Sequence, residues 1–285
     1  MTRGNDAEPL MERIWVLLDS SHQSRVALET AVDLAALLDI ELQGLFIEDE
    51  NLLKMAELPF TREVGATSAA TRPLDSQTLE RRLKREAQQL EQHLALQAQG
   101  RRLRWGFQVR RGSLPEAALS SVSPQDLVTM GKVGWSSSRG EHLGRTARAM
   151  LGEAPCSVLF TSETAAFEAD HPIVVWYEPP YGAQEALETG VRIARAERRP
   201  LKLLWATQET GPEAGERQEV EARALASGVA LEVESWPRAD ASALAAFAAR
   251  TRARALVISR RSPVLHQSGD RGLAAHGPYS LVVVP

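Results

Sequence analysis

The chain has 285 residues, of which 44% are hydrophobic and 25% charged, and a formal net charge of −4. That composition builds packed cores, excludes disorder over most of the length, and makes nucleic acid a poor default partner. One cysteine, Cys156, excludes an internal disulfide and a multi-cysteine zinc site.

About two domains are expected from the length. The opening MTRGNDAEPLMER has no apolar core of a secretory signal, and no apolar run approaches the ~20 residues that span a bilayer. The expectation is a soluble, cytoplasmic protein without a membrane span.

Arg13 to Leu18 (RIWVLL) is a short apolar run ending in Asp19, the pattern of a buried parallel strand. A helix is predicted from Gln23 to Leu38, with Ala27, Leu28, Val32, Ala35 and Leu38 at helical spacing and Ser20, Ser21 or Ser24 to cap it. Ile40 to Ile47 reads as a strand. Glu48 to Ser76 is a long connection with a short amphipathic piece, NLLKMAEL. A charged helix follows from Thr78 to Gln99, a strand from Leu103 to Val109, a short helix from Ser113 to Val122 and a strand from Gln125 to Gly131. Gly131 to Leu143 is rich in glycine and serine. A helix over Thr146–Leu151 and a strand over Ser157–Thr161 complete the first half. Strands alternating with helices make βαβ crossovers, hence a parallel sheet covered on both faces.

Glu163 to His171 reads as a linker, after which the pattern restarts. Strands are predicted at Pro172–Tyr177, Leu201–Ala206, Val229–Trp236, Ala255–Ser259 and Leu281–Val284. Helices are predicted at Gln184–Glu197, Glu213–Ala226 and Ala241–Thr251. ALETAVDLA from Ala27 matches ALETGVRIA from Ala186 at six of nine positions, an offset of 159 residues. The same offset places Asp19 on Glu178, also at a strand end. This order and repeat indicate an internal duplication.

The segment Met130 to Leu151, MGKVGWSSSRGEHLGRTARAML, follows a strand and enters a helix. Gly131, Gly134 and Gly144 allow close backbone approach to an anion. Amides near Gly144 to Thr146 would face an anion at the positive end of the helix. Hydroxyls at Ser136–Ser138 and Thr146, and the charges of Lys132, Arg139 and Arg145, suit phosphate. An empty surface turn is the plainer alternative. Asp19 lies where open α/β sheets bind ligands, and is equally suited to capping the next helix.

The Gly-x2-Gly-x9-Gly spacing resembles the nucleotide-binding loop of the universal stress protein superfamily. VLLDSSHQS resembles that family's first strand ending in Asp, and APCSVLF its run into the last strand. The chain thus looks like a tandem universal stress protein. The resemblance implies an α/β fold of two tandem Rossmann-like domains, 12–162 and 171–285, each an open five-stranded parallel sheet flanked by helices. It implies that Asp19 lines an adenosine pocket and that Phe46 or Ile47 flanks the adenine. Met130 and Gly131 would lie under the ribose and α-phosphate, and Gly134, Gly144, Arg145 and Thr146 would hold phosphates. The ligand would be ATP or another adenine nucleotide, with or without Mg.

Arg145 stands where the family carries Ser or Thr. It either replaces the lost hydroxyl with a charge-assisted contact or turns outward and leaves a weaker site. The second half lacks the glycine loop and carries Glu178, Pro179 and Pro180 after its first strand, so no nucleotide is expected there.

Cys156 reads as a packed small residue, and the histidines lack metal-ligand spacing. Leu52, Leu53, Met55, Leu58 and Phe60 form a cluster open to three readings: a lid, a dimer contact or a patch closing the core. Motifs of P-loop and dinucleotide enzymes, and of the serine nucleophile elbow, are absent. The reading is a nucleotide-binding regulator or sensor in stress, with little or no hydrolysis. The alternative is an interaction protein with a degenerate pocket. An intramolecular pseudo-dimer through the two last strands is expected, with a homodimer and an unidentified protein partner as further possibilities.

Overall fold

The opening strand β1 (Arg13–Leu18) is buried along most of its length and leads into α1 (His22–Leu38). Of the three candidate serines, Ser21 is the one that caps α1, its Oγ accepting the Ser24 amide at 3.1 Å. The helix ends on Asp39, in the left-handed region at φ 54°. Next come β2 (Glu41–Asp49), α2 (Glu50–Ala56) and a hairpin of β3 (Arg62–Val64) and β4 (Thr71–Pro73). Then follow α3 (Ser76–Gln99), β5 (Trp105–Gly112), α4 (Leu114–Leu119), β6 (Asp126–Gly131), α5 (Arg145–Glu153) and β7 (Ser157–Thr161). This computed structural model describes residues 11–19, 21–58, 60–64, 71–132, 143–162, 170–207, 214–237, 240–267, 273 and 277–285.

The second half comprises β8 (Ile173–Tyr177), α6 (Ala183–Glu197), β9 (Leu201–Thr207), α7 (Ala214–Ala226), β10 (Leu231–Pro237), α8 (Ala241–Arg250), β11 (Ala255–Ser259), α9 (Pro263–His266) and β12 (Ser280–Val284). Its sheet runs β12-β11-β8-β9-β10, the same parallel order as β7-β6-β1-β2-β5 in the first half. One topology occurs twice, which is the duplication that the repeated helix sequence indicates. The strands β8, β11 and β12 are buried at every position, as a parallel sheet covered on both faces requires.

The two sheets are not separate. β12 pairs antiparallel with β7, setting Leu281 opposite Phe160, Val282 opposite Leu159 and Val283 opposite Val158, so that one ten-stranded sheet runs through the molecule. On one face α1 and α6 pack together, and a single apolar core extends from Ile14 and Ala31 to Val175 and Ala194. On the other, a second core runs from Met150 and Phe160 to Phe247 and Val283. A smaller core under α2 and α3 joins Phe46, Leu53, Leu79, Leu83 and Ala87.

Element boundaries differ from the expected ones by a few residues, most at β5, which starts at Trp105 and runs on to Gly112. The hairpin β3–β4 lies in what reads as loose sequence. Its strands are three residues each, too short to display a period of two. The presumed linker Glu163–His171 and the centre of the glycine-rich loop fall largely outside the described residues.

Candidate functional site

In a sheet ordered β7-β6-β1-β2-β5, the connections leaving β1 and β6 go to opposite sides. A crevice forms at the carboxyl ends of those strands because neither connection covers it. A cleft of about 690 Å³ lies there, at the ends of β1, β2 and β6 and beside the start of α5.

Asp19, Phe46, Ile47, Met130, Gly131, Gly144, Arg145 and Thr146 all line this cleft. Gly134, the ninth residue singled out by sequence, lies outside the described residues, as do Ser136–Ser138, Arg139 and His142. Phe46, Ile47 and Met130 are buried and, with Leu17, Leu45 and Leu114, give the cleft an apolar lining.

Asp19 emerges from the end of β1. Its backbone amide donates to Ser24 Oγ at 2.9 Å, and its Oδ1 accepts the Ser21 amide at 2.9 Å. This turn of side chain onto backbone fixes the carboxylate at the cleft wall. The cap of α1 falls to Ser21, so the competing reading of Asp19 as that cap is replaced by a role one turn earlier.

Gly144 is the N-cap of α5 at φ −60° and makes no side-chain cap bond. Its amide donates to Lys132 O at 3.4 Å, closing the end of the glycine-rich segment onto its beginning. The first-turn amides of α5 therefore face the cleft without a side-chain acceptor, and the helix dipole adds about half a positive charge there. Arg145 is exposed and Thr146 half-buried at this end. Gly131 has a packing reason as well: a Cβ there would lie 2.7 Å from Gln23 Cβ on α1.

Lys132 departs from expectation. It is buried and turned away from the cleft, its Nζ donating to Tyr279 O at 3.0 Å and Gly277 O at 3.5 Å in the second half. The ammonium also lies 5.2 Å from the Tyr279 ring centroid. Burial pulls the Lys132 pKa down to about 8. Sequence counted it among charges for phosphate. Nothing in its spacing reveals that the second half would receive it.

The long connection after β2 supplies the remaining wall. Leu52 and Met55 of α2 line the cleft, with Leu83 and Glu86 of α3. Leu53 and Ala56 turn the other way into the small core. Leu58 and Phe60 are exposed.

At the equivalent position of the second half, polar groups satisfy one another. Glu178 Oε2 accepts from Trp176 Nε1 at 2.9 Å and from Ser262 Oγ at 2.5 Å. The carbonyl of Pro285 accepts from Ser259 Oγ at 3.3 Å, and Arg261 reaches Glu185 at 3.0 Å. Gly182, at φ 71°, has Ser259 Oγ 2.4 Å from where a Cβ would stand.

Among the described residues no group of His, Cys, Asp and Glu is arranged to hold a metal ion. Cys156 is buried, and burial pushes its thiol pKa up to about 12. No described helix is long and apolar enough to cross a membrane.

The universal stress protein family model matches residues 11–162. No curated protein matches the chain. Among solved structures, a universal stress protein from Archaeoglobus fulgidus DSM 4304 is similar at 14% identity and a TM-score of 0.72, over 97% of this chain and 98% of that one. A putative universal stress protein from Pseudomonas aeruginosa UCBPP-PA14 is similar at 16% identity and a TM-score of 0.57, over 96% and 93%. A functionally unknown protein from Pseudomonas aeruginosa PAO1 gives 15% identity and a TM-score of 0.56, over 96% and 92%.

Proposed function

We propose that this chain, which belongs to the universal stress protein family, binds one adenine nucleotide in the cleft of its first half. The observation that carries this reading is the convergence of Asp19, Phe46, Ile47, Met130, Gly131, Gly144, Arg145 and Thr146 on a single cleft at the sheet's switch point. Apolar Phe46, Ile47 and Met130 suit a base, and the carboxylate of Asp19 suits a ribose hydroxyl. The uncapped start of α5 with Arg145 suits phosphates. The volume falls within the range of small-ligand sites, about 300–1,000 Å³. Gly134 is proposed as a further backbone contact to phosphate. Mg would enter, if at all, with the phosphates of the nucleotide.

The two domains are proposed as 12–162 and 171–285, the first binding nucleotide and the second supporting it. The protein then acts as a stress-linked regulator or sensor in the cytoplasm, with at most slow hydrolysis. Calorimetric titration with ATP, ADP and AMP tests the reading. One site per chain is expected, with Gly144→Val abolishing binding by placing a side chain where phosphate must approach. Two equivalent sites, or unchanged affinity in Gly144→Val, would overturn it.

A further inference from the structure

At the opposite ends of the strands a second and larger cleft, about 950 Å³, opens on the seam between the halves. Six arginines line it: Arg101, Arg192, Arg195, Arg198, Arg199 and Arg254. Only two carboxylates, Asp33 and Glu197, share that lining. Asp33 pairs with Arg101 at 2.5 Å. Glu197 receives both buried guanidiniums, Arg199 at 2.6 Å and Arg254 at 3.2 Å. Arg192 is half-buried, donates to Met11 O at 3.3 Å, and is held below the usual arginine pKa by burial. Arg195 and Arg198 are exposed and have no carboxylate partner among the described residues.

Arginines near a helix C-terminus ordinarily serve the helix dipole, and α1 and α6 both end here. Each such end takes up about half a charge. Two helix ends and two carboxylates still leave a surplus of about three positive charges in a protein whose net charge is −4.

The duplication provides an internal control. The 159-residue offset superposes Asp33, Ala36, Asp39 and Ile40 on Arg192, Arg195, Arg198 and Arg199. Both helices stop in the same way, on a left-handed residue at φ 54°, Asp39 in α1 and Arg198 in α6. The last turn of α1 manages without any basic residue. The arginines are therefore not needed to end the helix. Five of the six belong to the second copy, and all six line one cleft.

We infer that this seam cleft binds a small multivalent oxyanion, a molecule carrying two or more phosphate or carboxylate groups. Guanidiniums meet such groups with paired donors, and partial burial strengthens the contact. Ala36, Leu37, Leu38 and Ala196 give the cleft an apolar floor for any carbon skeleton that bears the anionic groups. The site is distinct from the cleft at Asp19 and does not rest on the nucleotide reading.

Calorimetric titration of the full chain with inorganic tripolyphosphate, and separately with citrate, tests this at low and at moderate salt. Arg195→Glu/Arg198→Glu changes only exposed side chains, and its melting curve confirms that it folds. In a Gly144→Val background, where the first cleft no longer admits phosphate, one tripolyphosphate per chain is expected, weakened by salt, with affinity about tenfold or more lower once the two arginine substitutions are added, the loss of a charge-assisted contact or more. Gly144→Val alone should leave the affinity of the seam site unchanged. Citrate binding with the same loss extends the ligand class to carboxylates, and its failure restricts the class to phosphates. The inference is overturned if neither probe binds, if the double variant binds equally well, or if binding disappears in Gly144→Val.

Discussion

Asp19 serves structure through one oxygen and faces the cleft with the rest of its carboxylate. Oδ1 takes the Ser21 amide, so Asp19→Ala should cost about 1 kcal/mol of stability, as for a lost cap. If the carboxylate also holds a ribose, nucleotide affinity should fall by a further 1.5–3 kcal/mol, roughly ten- to a hundredfold. Measuring melting and binding on the same sample separates these effects. Lost stability with unchanged affinity per folded molecule would leave Asp19 a purely structural residue. Lys132 offers a second test. Its pKa is near 8 in the fold against 10.5 in the unfolded chain. A base depressed by folding costs stability where the folded state must carry its charge, below pH 8, and that cost vanishes as pH rises towards 10.5. Tyr279, pushed up to about 12 by burial, stays neutral across the window. The natural chain should therefore gain on Lys132→Met between pH 7 and 10, by up to roughly 3 kcal/mol. Parallel denaturation curves at each pH give the answer, and a pH-independent difference would refute it. Residue types were legible here, destinations less so. Asp19 and the glycines announce themselves by position, whereas the inward turn of Lys132 depends on a chain segment 147 residues away.

At the scale of elements, α5 shows how the second half supports the candidate site. Its start faces the cleft, and its end is held by Arg260, which follows β11. The guanidinium donates to Leu151 O at 2.8 Å, to Ala154 O, and to Cys156 O at 3.1 Å. Leu151 O and Ala154 O are terminal carbonyls that the helix itself cannot satisfy, and Cys156 O lies just beyond it, ahead of β7. Arg260→Ala strands them and should lower stability in urea denaturation by about 2 kcal/mol, with Arg260→Lys recovering only part of the loss. No change in either variant would mean that water replaces the contact at little cost. The helices and strands of both halves could be read from apolar period and caps. The hairpin β3–β4 could not, because its strands are too short to carry a period, and the last helix of the second half could be read only as cut to a few residues. Part of the Leu52–Phe60 cluster finds its place at this scale, while Leu58 and Phe60 remain exposed. One face of α2 closes the small core and the other borders the cleft, a division invisible until the position of α3 is known.

The whole molecule depends on the seam. An open parallel sheet leaves an unpaired edge at each side, and a short apolar strand at such an edge invites pairing. β7 and β12 are strands of this kind, and they satisfy each other within one chain. Leu281, Val282, Val283 and Val284 are fully buried, as are Val158 and Phe160, with both apolar cores continuing across the join. The repeat and the two terminal strands made this join legible in sequence. What they left out was its reinforcement by side chains, Lys132 onto Tyr279 O and Ser162 onto Gly277 O at 3.3 Å. Deleting Leu281–Pro285 removes β12 and bares β7, together with the apolar surface on both faces of the seam. The truncated chain should form new oligomers or aggregate, because β7 then presents an unpaired edge of buried-type residues that a second copy can cover. Light scattering and size-exclusion chromatography at several concentrations read this directly. Circular dichroism establishes that the first half remains folded, so that association through an intact edge is told from collapse. A monomeric, soluble truncation that binds nucleotide as the full chain does would show that the seam is dispensable and that each half protects its own edge.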